Sequence, residues 1–454
     1  MKRSQIAKVK TIDLPNWQRE LERWFKPFGQ ALAYKTREHW GPLYLQGLLG
    51  PSERKSVEPL AAAVAPLEAG QLHHFIATSS WELPPLEREL ARVGQHLAGG
   101  TSSVLIVDDT PLLKKGTHSP GVAPQYCGQL GKVANCQTLV SLTLARNEVP
   151  VPLALRLFVP KPWTDDPARC EKAGIPMEYR RHRPKWQLAL EELDRVRAAG
   201  VIFSDVLADS AYGSAREFRA GTRSRGLHFA VGISPRQQVY PSHVKTRKVR
   251  PMGRMGRPHK HPRPTHPSRS AKEMIAQRGR FRRLTWREGT QGPLSARFAA
   301  VRVRVADGPV FAARQRLPGE ALWLVCERRD SGEVKYYLTS HSAHASVKRL
   351  ARAIKARWAC EQAHQQLKEE LGLDHFEGRS WLGLHHHALF TMIAMAFLQH
   401  LRLKQARSEK KTSRPTRTSA ATQPPRGPQG AARSTFQPHP TLSAMSYPSA
   451  FQSP

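Results

Sequence analysis

Apolar residues recur at helical spacing through the first hundred positions, at Leu21, Trp24, Phe25 and Phe28 and again at Trp40, Tyr44 and Leu45, before the Gly50-Pro51 break. That period describes helix faces in need of a partner, so residues 1–100 are expected to form a helical N-terminal domain. The pattern then shortens. Ser103 to Asp108, Gln137 to Ala145 and Val151 to Val159 are apolar runs set off by turn residues such as Gly99-Gly100 and Asn147-Glu148, which predicts a three-strand meander. Helical spacing returns at Trp186, Leu190, Leu193 and Val196 and stops at Gly200, a residue suited to the position after a helix C-cap. This crossover helix leads into a fourth strand, Val201 to Ala208, that ends at Asp209, and Leu227 to Ile233 reads as a fifth. Residues 101–234 are therefore the first part of an α/β core.

The composition shifts after about residue 235. Residues 241–270 are rich in Lys, Arg, His and Pro and read as a basic loop too polar to pack. Strand-like runs resume at Phe281 to Trp286, Arg297 to Val305, Ala321 to Arg328 and Lys335 to Thr339, so 235–340 is expected to be an all-β insertion carrying that loop. One helix from Ser346 to about Leu371 and a second, apolar one from Trp381 to Leu403 return the chain to the core over 341–404. Residues 405–454 lack periodicity and are expected to be a disordered basic tail.

Charge narrows the partners. The 454 residues are 40% apolar, which suits a globular chain, yet they carry a formal charge of +35 and a pI near 10.7. A field of that sign concentrates polyanions and makes DNA or another nucleic acid the leading partner, with an anionic membrane surface as the alternative. No run of about 18 apolar residues occurs, and Met1-Lys2-Arg3-Ser4-Gln5 continues into polar sequence, so neither a membrane span nor a signal peptide is expected and the location is read as cytoplasmic. Five cysteines without a Cys-x2-Cys pair argue against a disulfide framework and a zinc finger.

Arg357, Glu361 and Lys368 fall within a roughly 40° sector of one helix face and set a carboxylate between two cations. Such a triplet is either a salt-bridge ladder or a metal ligand flanked by phosphate clamps. Asp108 and Asp209 weigh toward the second reading, because in an RNase H-like mixed sheet the ends of strands one and four are neighbours and the late helix crosses them. Three carboxylates in one space repel each other unless cations fill it, and hard oxygen ligands suit Mg²⁺ or Mn²⁺, expected as a pair of ions roughly 3.5 to 4 Å apart.

Asp108-Asp109-Thr110, Lys114-Lys115-Gly116, Gln125-Tyr126-Cys127-Gly128, Gly131-Lys132, Asn135-Cys136-Gln137, Ala208-Asp209-Ser210-Ala211-Tyr212-Gly213 and the stretch from Glu361 through Trp381 together resemble the DDE transposases of bacterial insertion sequences, nearest to family seven-oh-one. The resemblance runs from about residue 20 to 403. It implies that Asp108, Asp209 and Glu361 are the catalytic, metal-binding acids, with Arg357 and Lys368 the basic members of the Y-R-E-K signature. Ile354 stands where that signature has tyrosine. It also implies cleavage at terminal inverted repeats, joining to target DNA, a homodimer on paired ends, and a nucleoid-associated enzyme. Trp286 resembles an insertion-domain tryptophan that stacks on a flipped base, against the alternative of a strand residue covering a small sheet.

Lys114, Lys115 and Lys132 are read as phosphate contacts or solvated surface. Strand alternation turns Asp109 away from Asp108, as a capping acid. His385, His386 and His387 point about 100° apart on a helix and cannot chelate together. A stand-alone nuclease and a non-catalytic DNA-binding protein are the competing functions.

Overall fold

A computed structural model describes residues 16–247, 262–289, 292–312 and 315–412. The amphipathic stretches of the first hundred residues form α1 (Trp17–Ala31), α2 (Lys35–Leu49), α3 (Val57–Val64), α4 (Ala69–Ala77) and α5 (Leu83–Ala98). Next come β1 (Val104–Leu113), β2 (Ala123–Cys127), β3 (Lys132–Arg146) and β4 (Val149–Leu157), and then α6 (Lys161–Thr164), α7 (Pro167–Lys172) and α8 (Lys185–Ala198). β5 (Asp205–Ala208), α9 (Ser210–Ser214), α10 (Arg216–Ser224) and β6 (His228–Ile233) follow.

β1 pairs antiparallel with β3 and parallel with β5, and β5 pairs parallel with β6. The far edge of β3 is shared by β2 along 132–136 and by β4 along 139–146. This is a mixed sheet with helices on both faces. β1 and β3 run longer than their apolar cores suggest, because their ends pair with each other and with β2 as polar, half-exposed ribbon; Asp108 therefore lies inside β1, not at its end.

After β7 (Gln238–Pro241), the ribbon β8 (Thr246–Arg247) and β9 (Arg263–Pro264), and β10 (Arg269–Ser270) comes α11 (Ala271–Arg278). This helix departs from the all-β expectation, and its cause is local: Ser270 and Glu273 form a reciprocal capping box at its start. β11 (Arg282–Gly289), β12 (Gly292–Val305), the ribbon β13 (Val310–Ala312) and β14 (Gln315–Arg316), β15 (Ala321–Arg328) and β16 (Val334–Thr339) complete the segment. β16 pairs antiparallel with β6, so the same sheet continues through β15, β12, β7 and β10 to twelve strands. The centre of the basic loop, 248–261, lies outside the described residues.

The helix expected from Ser346 to Leu371 is two, α12 (Val347–Lys355) and α13 (Trp358–Glu369), separated by a turn at Ala356 and Arg357. α14 (Trp381–Thr412) extends past the point at which the tail was expected, and the tail beyond it, 413–454, lies outside the described residues. α14 is long and apolar enough to cross a membrane, but 89% of that apolar window is buried, as in a core helix.

Alternation along β1 divides the packing. Leu105 and Val107 join the larger core with α1, α2, α5, α8 and α14, whereas Ile106 joins a second core with Phe298, Leu350, Ile354 and Cys360. In the larger core a buried ion network ties three elements: Arg156 on β4 donates to Glu87 on α5 (2.9 Å) and to Glu192 on α8 (2.7 Å). Burial alone would raise the Glu192 carboxyl, but Arg156 and Arg195 outweigh it and bring it to about 2. Removing Arg156 would leave the two buried carboxylates with Arg195 as their shared cation.

His385, His386 and His387 hold α14 to its surroundings by separate contacts. His385 accepts from the Leu157 amide, His386 meets the Ile76 and Trp81 carbonyls while stacking on Trp81, and His387 bonds Tyr44 and the Gly372 carbonyl. Burial lowers their pKa values to about 3, 4 and 4. The folded state thus binds fewer protons than the unfolded chain, so stability is full above about pH 6.5 and falls as pH drops toward 4, by up to about 1.4 kcal/mol per pH unit for each histidine. Thermal melts should show a clearly lower Tm at pH 5 than at pH 7; an equal or higher Tm at pH 5 would contradict this.

Candidate active site

The site is built from the β1–β5 register. Parallel pairing runs from Val104 with Asp205 to Val107 with Ala208 and stops there. Asp108 and Asp209 directly follow the last paired residues, close enough that the Asp209 charge acts on Asp108. β5 ends because Asp209 turns into a helix N-cap: its Oδ1 accepts from the amides of Ala211 (2.9 Å) and Tyr212 (3.3 Å). α9 lies so close to β6 that a Cβ at Gly213 would stand 1.9 Å from the Gly232 carbonyl oxygen, so only glycine fits there.

The third acid arrives from the second core. Ile354 is buried in that core on α12, an apolar anchor with no reach to a phosphate. The turn after α12 places Arg357 at the N-cap of α13, where its guanidinium donates to Asp108 Oδ2 (2.6 Å) and also bonds Glu361 one turn on. Asp108 is 14% exposed and Glu361 59%, so the cluster opens to solvent on the Glu361 side.

Charge is unbalanced here. Burial first, and the nearby Asp209 charge, push Asp108 up to about 7 against the pull of Arg357. Asp209 is likewise raised, by burial and by Asp109. Arg357 is itself held more firmly charged, since Asp108 and Glu361 outweigh its desolvation. Two strained carboxylates, a solvent-facing third and one bridging guanidinium form a hard-oxygen donor set short of positive charge, which fits a divalent ion such as Mg²⁺ or Mn²⁺. Nearby, the Thr110 hydroxyl is buried without a hydrogen-bond partner. The oxygens of Asp108, Asp209 and Glu361 are not all within 4.8 Å of each other, and Arg357 bridges Asp108 to Glu361.

The other predicted residues fall in different surroundings. Lys368 is buried and donates to the Pro111 carbonyl (2.8 Å), so it reaches β1 from the same face of α13 as Arg357, with its ammonium taken by a backbone carbonyl. Lys114 donates to the Phe376 carbonyl (2.6 Å), while Lys115 and Lys132 are exposed. Trp286 sits at a β-bulge between Thr285 and Arg287, edge-on to Phe298 with the Lys355 ammonium 4.5 Å from its ring centre.

Asp109 does turn to the opposite face, yet it is no turn cap. It accepts from the Tyr212 hydroxyl (2.6 Å) and from Lys185 (2.7 Å) and so links β1 to α8 and α9. Two neighbours of Asp108 carried no weight in the sequence reading: Cys360 and His364, whose donor atoms lie within 4.8 Å of each other and of an Asp108 oxygen. Their spacing of four residues on one helix was the available signal. Burial raises the Cys360 thiol to about 12 and lowers His364 to about 3.

Residues 27–293 match the family described as DDE superfamily endonuclease, more than half of the chain. A probable transposase for insertion sequence element IS701 from Microchaete diplosiphon is 27% identical over 194 residues, 42% of this chain. The match spans 48% of that relative, about half its length. Among solved structures, the piggyBac transposase synaptic complex with hairpin DNA aligns over 92% of this chain and 77% of its own, at a TM-score of 0.37 and 9% identity, too distant to carry an argument. The extent of the family match makes this chain a member of the DDE superfamily endonucleases.

Proposed function

We propose that the protein is a transposase that cleaves DNA at the ends of an insertion sequence and joins the freed ends to target DNA. The observation that carries this is the adjacency of Asp108 and Asp209 at the end of the parallel β1–β5 pairing, with Glu361 tied to the pair through Arg357. The strand order, with β3 beside β1, β1 beside β5 and β5 beside β6, supports an RNase H-like core. The likeness to the IS701 transposase supports transposition over simple nuclease action.

Asp108, Asp209 and Glu361 are the residues that would hold Mg²⁺ or Mn²⁺, whose chemistry is to activate water or a 3′-hydroxyl and stabilise the departing oxygen. The remaining work belongs to the chain. Asp209 is fixed by the α9 amides, and Asp109, clamped by Lys185 and Tyr212, keeps β1 aligned behind it. Arg357 offsets the charge of Asp108 and Glu361 and supplies a guanidinium suited to a DNA phosphate. Exposed Lys115 and Lys132 extend a cationic path for the DNA backbone, whereas Lys114 and Lys368 position the loop at Phe376 and the strand at Pro111. The chain acts as a homodimer on two paired ends, and the +35 charge draws in both the terminal repeats and the target.

Asp108→Asn, Asp209→Asn and Glu361→Gln should each lower Mg²⁺-dependent cleavage of an end-bearing duplex by roughly 100-fold or more, with DNA binding nearly unchanged. Gel assays of cleavage and joining read both, and full cutting by any one variant removes that residue from the site. If Trp286 stacks on an extruded base, Trp286→Ala should weaken the end complex by about 1–3 kcal/mol and quench less fluorescence from a base analogue at the cut, while non-specific duplex binding holds. Unchanged analogue fluorescence would leave Trp286 as a packing residue.

A further inference from the structure

The geometry points to a second, softer metal site behind Asp108: Cys360, His364 and Asp108 form a three-donor pocket for a thiolate-seeking ion such as Zn²⁺. Cys360 and His364 stand one turn apart on the face of α13 that packs against β1 and β3. Cys360 Sγ lies 3.5 Å from His364 Nε2. A tetrahedral zinc, with Zn–S about 2.3 Å and Zn–N about 2.0–2.1 Å, separates its sulfur and nitrogen by about 3.5 Å, so the two donors need little movement to share an ion. An Asp108 oxygen lies within 4.8 Å of both. Among the described residues this is the one group of three such donors drawn so close.

The lining is polar. Ser141 Oγ is 2.8 Å from His364 Nε2, and Thr143 Oγ1 is 3.5 Å from Cys360 Sγ. Cys360 is fully buried, while Asp108 and His364 are partly exposed and form the way in. Three protein donors with a fourth position open match an exchangeable ion more than a structural one. Sulfur and imidazole set the selectivity, since Mg²⁺ takes oxygen ligands and would leave this pocket to zinc. On binding, the Cys360 thiol gives its proton to solvent and the thiolate bonds the ion.

Both sites draw on Asp108. An ion held by Cys360 and His364 takes that carboxylate from the oxygen-ligand set, so zinc acts as an off-switch on cleavage; this consequence rests on the nuclease reading, whereas the site itself does not.

Full-length protein, stripped of metal and free of DNA, is titrated with Co²⁺ as a spectroscopic substitute for zinc. The expected result is a near-ultraviolet thiolate-to-cobalt charge-transfer band at one equivalent, displaced by Zn²⁺ but not by excess Mg²⁺. The band should vanish in Cys360→Ser, weaken at least about tenfold in affinity in His364→Gln, and persist in Cys326→Ser. Should Cys360→Ser fail to fold, as read by its thermal transition, His364→Gln decides. No band in the parent protein, or a band indifferent to His364, overturns the site. In cleavage assays at fixed Mg²⁺, half-inhibition by Zn²⁺ should shift at least about tenfold upward in Cys360→Ser. Equal inhibition overturns the switch. A parent protein that cuts nothing in Mg²⁺ counts against the nuclease reading, and the cobalt titration still decides the site.

Discussion

Four backbone pairings, Val104 with Asp205 through Val107 with Ala208, fix the geometry on which the site depends. Parallel strands in that register must bring the next residues, Asp108 and Asp209, to neighbouring positions whatever their chemistry. A slip of one residue would send one acid to the opposite face. The register is protected by burial: Leu105 and Val107 pack on one side and Ile106 on the other, all without exposure, so slipping would turn an entire apolar set into the wrong core.

The same alternation gives β1 two kinds of work. On the Asp108 side, α12 and α13 close a smaller core and bring Arg357, Glu361, Cys360 and His364 against the acid. On the Asp109 side, Lys185 and Tyr212 anchor the strand to α8 and α9. One face carries the cluster whose charges are unbalanced, and the other holds paired groups. A site that repels itself needs such support, because the folded state must contain the repulsion until cations relieve it.

Much of this was legible in the sequence. Asp108 and Asp209 stand out in the sequence as the residues that follow apolar runs, and the strands of the core follow from apolar runs bounded by turns. The break between α12 and α13 was not visible, because Ala356 and Arg357 carry no helix-breaking signal and the turn is imposed by packing of Ile354 on one side and by Asp108 on the other. Lys368 keeps the alignment with Arg357 that helical spacing gives, and both reach β1, but its ammonium is taken by the Pro111 carbonyl. Helix α11 was hidden in a basic, strand-rich segment, with only its capping box as a cue. Cys360 and His364 carried no signal in the sequence because their partner, Asp108, is 252 positions or more away and only the fold brings them together.

On the proposed function, Asp108 and Asp209 would share a cation. Anomalous scattering from Mn²⁺, measured on crystals of the protein with an end duplex, locates the ion directly. The expected result is a peak between the two carboxylates, with Arg357 moved off Asp108. Ordered DNA at the site with no manganese peak between Asp108 and Asp209 would contradict it.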